Sequence, residues 1–141
     1  MKRNIKTIAV AVITLVSTVF YAHADSKPYK ELNSKEVVMN YVGASLLGSS
    51  EYTKEMFADN FEYSNSANND KFGKKEYVNY LKSVKDLKYN STQTIEILDQ
   101  VGSTSISKVT MDFGTFKRVD YITLIQSAEG WKINKVVTTY P

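Results

Sequence analysis

The chain has 141 residues, with 18 Lys or Arg against 15 Asp or Glu, one His, no Cys and a formal charge of +3. The absence of cysteine excludes disulfides, thiolate nucleophiles and a lipid anchor carried on cysteine. A chain of this length suits one domain built around one core.

Residues 1–24 have the pattern of a secretory leader. "MKRNIK" supplies three positive charges, "TIAVAVITLVSTVFY" is an apolar run, and "AHA" sets small residues at a cleavage site expected after Ala24. The run is shorter than the roughly 20 apolar residues of a membrane-spanning helix. The pattern predicts a secreted or periplasmic protein with no stable membrane anchor after cleavage. Cleavage removes Lys2, Arg3, Lys6 and His23, so basic residues fall from 18 to 15 and match the 15 acidic ones. A mature chain without His or Cys has no imidazole or thiolate for a zinc or copper site, and none for a Ser-His or Cys-His mechanism. No metal and no cofactor are expected. Any general base must be a shifted carboxylate, Lys or Tyr.

Residues 25–33 form a polar lead-in. "SKEVVMNYVGASLL" (34–47) has a helical period, with Asn33 and Glu36 at capping spacing and Gly48 as the stop. Its apolar face is broad, running through Val37, Val38, Tyr41, Val42 and Leu46, and predicts a helix wrapped by the rest of the domain. "SSEYTKEMF" reads as a short second helix capped by Ser49 or Ser50. "NFEYSNS" reads as a brief strand with Phe61 and Tyr63 on one side, and "NSANNDKFG" as a polar loop. "KKEYVNYLKSVKDL" (74–87) is a second amphipathic helix with Tyr77, Tyr80, Leu81, Val84 and Leu87 on its apolar side. From residue 91 the period changes to strands: "STQTIEILDQV", "SISKVTMDF", "FKRVDYITLIQ" and "WKINKVVTTY", separated at hairpin-like spacing. "YITLI" is apolar on both faces, which predicts a central strand covered on both sides. Helices followed by a meander of strands give an α+β layout, and the short connections make the sheet antiparallel.

The order and spacing of "VMNYVGASLLGSSEYTKEMFADNFEYSN", "FGKKEYVNYL" and "VDYITLIQSAEGWKINKVV" resemble the nuclear transport factor 2-like superfamily over nearly the whole of residues 34–141. That superfamily includes ketosteroid isomerase, the SnoaL-like polyketide cyclases and the putative lumazine-binding proteins, and the ending is most similar to the last group. The resemblance implies a curved antiparallel sheet wrapped around a long N-terminal helix, forming a cone with a pocket at its open end. It places Tyr41 where the isomerase has its oxyanion-stabilising tyrosine. It places Asn65 where the isomerase has its catalytic aspartate. Asp120 is the nearest match to a second acidic residue, with a register shift of about two residues.

Asn65 limits the chemistry, because a carboxamide accepts no proton at neutral pH while that mechanism needs an Asp base. A general base contributes about 10²–10⁴-fold in rate, so its replacement disables that reaction. Asn65 also fits a turn residue following a strand, and Tyr41 also fits a core tyrosine tied to a polar partner. The expectation is a small-molecule-binding domain without isomerase-type catalysis, with ligand candidates Tyr41, Tyr63, Asn65, Tyr80 and Asp120. Its partner would be a small organic ligand. The alternatives are an isomerase, dehydratase or cyclase using Tyr41 with Asp120, Asp112 or Glu62, and a homodimeric interaction module. Asp120 beside Arg118 also reads as a structural or surface charge pair. Lys74, Lys75, Lys82 and Lys85 form a solvated stripe, and a neutral mature chain argues against nucleic acid. "NNDKFG" fails as a calcium loop, since Phe72 occupies a ligand position. Trp131 reads as packing, and Asn90-Ser91-Thr92 is a glycosylation sequon only in a eukaryotic source.

Overall fold

The computed structural model describes residues 12–15 and 27–141. Apart from residues 12–15, the leader lies outside the described residues, as does the expected cleavage point. Among the described residues the sheet has seven strands, spatially ordered β1-β4-β5-β6-β7-β2-β3, of which β1 falls within the expected leader. In chain order these are β1 (Val12–Leu15), β2 (Phe57–Asn65), β3 (Asp70–Gly73), β4 (Thr92–Val101), β5 (Thr104–Asp112), β6 (Lys117–Ser127) and β7 (Gly130–Thr139). The helices are α1 (Ser34–Leu46) and α2 (Lys74–Ser83), and a 3-10 turn at Tyr29–Glu31 precedes α1. The layout is α+β, with one sheet and one core. Among the described residues no helix is long and apolar enough to cross a membrane.

The ends of α1 follow the sequence signals. Asn33 accepts from the Glu36 N–H, and Glu36 accepts from the Asn33 N–H, each at 2.8 Å, closing a reciprocal capping box. Gly48 sits at φ +71°, and a Cβ built there would stand 2.0 Å from the Lys85 carbonyl oxygen. Only glycine satisfies both the left-handed turn and that approach. Val37, Val38, Tyr41, Val42, Ala44 and Leu46 are buried on α1. They share the core with Ile95, Val109, Met111, Ile122, Leu124, Ile133 and Val136 from the sheet's inner face. Register shifts at Phe57/Glu62, Ile97/Asp99 and Thr123/Leu124 mark bulges, which bend strands and let a sheet curl around a helix.

Several local readings change. Residues 51–55 form turns rather than a helix. Tyr52 at φ +60° breaks the helical path, and its ring packs on Tyr29 with its hydroxyl bonded to the Lys27 carbonyl. Part of the "polar loop" is β3, paired with β2 through Asn65↔Asp70 and Tyr63↔Phe72. The lead-in is not wholly polar, since Tyr29 and Leu32 enter the core. Helix α2 stops at Ser83, which leaves Leu87 exposed. Strand β6 is central, between β5 and β7, but Tyr121 and Ile125 are exposed on its outer face, so it is covered on one side only. Every strand pair is antiparallel except β2–β7, which is parallel. The chain between those two strands runs through α2 and the whole meander, long enough to return β7 in the same direction as β2.

Candidate functional site

The parallel β2–β7 pair sets the site. Asn65 stands opposite Thr138, Thr138 opposite Asp120, and Asp120 opposite Val109, so one row crosses four strands. The pleat's period of two puts Arg118 on the same face as Asp120, and Tyr63 on the same face as Asn65. Helix α2 closes over this end of the sheet and brings Tyr77 against Tyr63 (ring centroids 4.8 Å apart, stacked) and against Tyr80 (5.8 Å). Phe72 on β3 stacks on the other side of Tyr63 at 5.8 Å.

Asp120 is fully buried, and its carboxylate is saturated. Tyr41 Oη donates to Oδ2 at 2.5 Å, Thr138 Oγ1 donates to Oδ1 at 2.7 Å, and Arg118 binds both oxygens, through Nε at 2.9 Å and Nη2 at 2.8 Å. Tyr77 Oη lies 3.2 Å from Tyr41 Oη and links the network to the pocket wall. A buried carboxylate requires such compensation, and a forked guanidinium supplies it with fixed geometry. The Asp120–Arg118 pair is therefore interior: the Arg118 side chain is 14% exposed and Asp120 not at all. This corrects the surface version of the charge-pair reading.

The surroundings keep the phenols neutral. Burial raises the Tyr41 phenol well above its ordinary value, and the Asp120 charge acts in the same direction. Burial likewise raises Tyr77, Tyr63 and Tyr80. For Arg118, burial disfavours the charged form, but the hydrogen-bonded Asp120 carboxylate offsets it, and the guanidinium stays above its usual value.

In front of this network lies a pocket of about 250 Å³ between α2 and this end of the sheet. Tyr63, Asn65 and Tyr80 line it, together with Asp70, Phe72, Tyr77, Arg118 and Tyr140. Five sequence candidates thus divide into two layers. Tyr63, Asn65 and Tyr80 face the cavity, whereas Tyr41 and Asp120 sit behind Tyr77 and Arg118, outside its lining. Asn65 Oδ1 accepts from the Ala67 N–H at 2.9 Å, an Asx turn that leads into the β2–β3 connection. The same residue is both a turn former and a pocket residue.

Sequence reasoning did not place Arg118, Asp70 or Tyr140 in the pocket, and it treated Phe72 and Tyr77 only as a loop residue and a core residue. The alternation of β6 was the available signal for Arg118, two residues before Asp120. Glu62 is exposed, and Asp112, the last residue of β5, accepts from the Gly114 N–H at 2.8 Å; neither bonds to Tyr41. Lys74 pairs with Asp59 at 3.2 Å on the outer side of α2, while Lys75, Lys82 and Lys85 are exposed. Among the described residues there is no cluster of three or more His, Cys, Asp or Glu side chains positioned to hold a metal ion.

A family model described as "Putative lumazine-binding" matches residues 30–139. Similar solved structures include an NTF2-like protein of unknown function from Silicibacter pomeroyi, 14% identical, with a TM-score of 0.63 over 76% of this chain and 92% of that one. An NTF2-like protein of unknown function from Methylobacillus flagellatus is 19% identical, with a TM-score of 0.61 over 82% and 99% of the two chains. A ketosteroid isomerase-like protein from Erwinia carotovora atroseptica is 14% identical, with a TM-score of 0.60 over 75% and 92%. At these identities the likeness is one of fold. The chain matches no curated protein.

Proposed function

The chain belongs to the putative lumazine-binding family of the nuclear transport factor 2-like superfamily, and from that premise we propose that it binds a small organic molecule in the pocket between α2 and the sheet, without isomerase-type catalysis. The observation that carries this reading is the state of the carboxylate nearest the pocket. A general base needs a free lone pair within reach of the substrate's proton. Asp120 spends its oxygens on Tyr41, Thr138 and a bidentate Arg118, and Arg118 and Tyr77 stand between it and the cavity. Tyr41, the isomerase-like oxyanion donor, is turned onto Asp120 in the same way. Asn65 offers an amide at the cavity wall and no base. What remains is an aromatic-walled recess with a few polar groups, a composition suited to binding.

Native mass spectrometry of the protein purified from its own host tests the reading. A co-purified small molecule that is lost on Tyr80→Ala is the expected result. Turnover of a cyclic ketone or polyketide that is lost in Asp120→Asn would refute the non-catalytic part. We place the mature protein outside the cytoplasm, with the leader removed after Ala24. The intact mass of the exported protein checks this, and a mass retaining residues 1–24 would overturn it.

A homodimer is the second reading, and it rests on the outer face of the sheet. Ile106, Tyr121 and Ile125 are exposed there on adjacent strands β5 and β6. Sedimentation equilibrium on the mature protein and its Tyr121→Glu variant separates the cases. A monomer in both removes this reading and leaves the pocket reading untouched.

A further inference from the structure

We infer that the ligand of this pocket carries a carboxylate on a small aromatic ring, and that the outer edge of the Arg118 guanidinium reads that carboxylate. The inference rests on the binding reading above and adds the ligand's chemical class. A guanidinium has five donors. Nε and Nη2 of Arg118 are spent on Asp120, and Nη2 also stands 3.4 Å from both Thr138 Oγ1 and Tyr41 Oη. Nη1 makes no hydrogen bond to the described residues, and it is not among the sealed, unpartnered polar atoms. Arg118 lines the pocket, so its unused edge is the part of the side chain open to an occupant.

The second polar group has the same sign of preference. The Ala67 N–H fixes Asn65 Oδ1 as the acceptor in the Asx turn, which leaves the Nδ2 donors at the cavity wall. The phenols beside them are neutral and able to donate. The negative charge of Asp120 is turned away from the cavity by its four donors. Asp70, the other acid at the pocket, is exposed at the rim and accepts from Asn68 Nδ2 at 2.7 Å. The interior is therefore rich in donors and short of acceptors, a match for a ligand that presents an anionic, planar acceptor. A guanidinium edge takes a carboxylate with two parallel bonds. Phosphate would call for more cationic groups than the single one present. The rings of Tyr63, Phe72, Tyr77 and Tyr80 give the pocket aromatic walls, and about 250 Å³ falls below the roughly 300–1,000 Å³ of drug-sized sites, which restricts the occupant to about one ring.

The test compares benzoate with its neutral isostere benzamide on the mature protein, read by NMR shifts of the Arg118 side-chain Nε–H and the pocket tyrosines. Benzoate should bind at least about tenfold more tightly than benzamide, the scale of a charge-assisted over a neutral hydrogen bond. Asn65→Asp keeps the Asx acceptor but turns the free donor into an anionic oxygen. It should weaken benzoate about tenfold or more and leave benzamide nearly unchanged. Arg118→Lys keeps a cation beside Asp120 without the second edge and should collapse the benzoate-to-benzamide ratio, with folding checked by Trp131 fluorescence. Equal binding of both probes, each weakened by Tyr80→Ala, would overturn the carboxylate inference and leave the pocket reading standing. Absence of any tyrosine shift with either probe would overturn both.

Discussion

Replacing Arg118 by Met tests the network that the site is built on. The substitution keeps much of the side chain's length but removes the cation from a carboxylate with no exposure. Two charge-assisted bonds, at 2.9 and 2.8 Å, disappear, and Asp120 is left with Tyr41 and Thr138 alone. Breaking a buried ion pair from one side costs about 3–5 kcal/mol, because the remaining charge is uncompensated. That is a large share of the roughly 5–15 kcal/mol that holds a domain together. Urea unfolding followed by Trp131, the chain's only tryptophan and a buried one, measures the loss directly. The double variant Arg118→Met/Asp120→Leu removes both charges and should recover at least about 2 kcal/mol relative to the sum of the single losses. A cost below about 1 kcal/mol for Arg118→Met, or strict additivity in the double variant, would refute the reasoning that the pair is buried and coupled.

Three further outcomes follow from the same geometry. Tyr41→Phe should cost about 1–3 kcal/mol by leaving Asp120 short of a donor, yet leave ligand affinity within about twofold because Tyr41 lies behind the pocket wall; paired urea titrations and binding curves decide it. Gly48→Ala should cost at least about 2 kcal/mol, combining a left-handed backbone with a Cβ driven into the Lys85 carbonyl, and thermal unfolding would show it. Alkaline titration of phenolate absorbance should leave Tyr29, Tyr41 and Tyr77 silent through the range where exposed tyrosines ionise, because burial raises all three. Their folded pKa values exceed the unfolded value of about 10, so this contribution to stability is complete below that pH and is lost as pH rises above it. A native titration identical to that in denaturant would contradict their burial.

Local signals in the chain carried much of the fold. Asn33 with Glu36 and Gly48 bracket α1 because capping and left-handed turns are satisfied by nearest neighbours. The alternation of residues 92–139 marks four strands because a pleat sorts side chains one residue at a time. Reading failed where distant contacts outvote local preference. "SSEYTKEMF" has helical residues, but Tyr52 is drawn onto Tyr29 and Lys27 at the cost of a positive φ. "NNDKFG" is polar, yet pairing with β2 makes its second half a strand.

The site divides along the same line. Asn65 by itself set the expectation that the isomerase's base is missing at the matching position, since a carboxamide's chemistry needs no coordinates. The sequence also determined which residues of β6 share a face, and so that Arg118 and Asp120 travel together. Which face, and against whom, was decided only by tertiary structure. The parallel β2–β7 pair brings Asn65 and Thr138 into the row of Asp120, and α1 supplies Tyr41 from 79 residues away. Those partners turn an apparent surface charge pair into a buried one, with Arg118 at the pocket wall. A strand's period of two fixes the alternation of side chains, whereas its neighbours are fixed by the path of the whole chain.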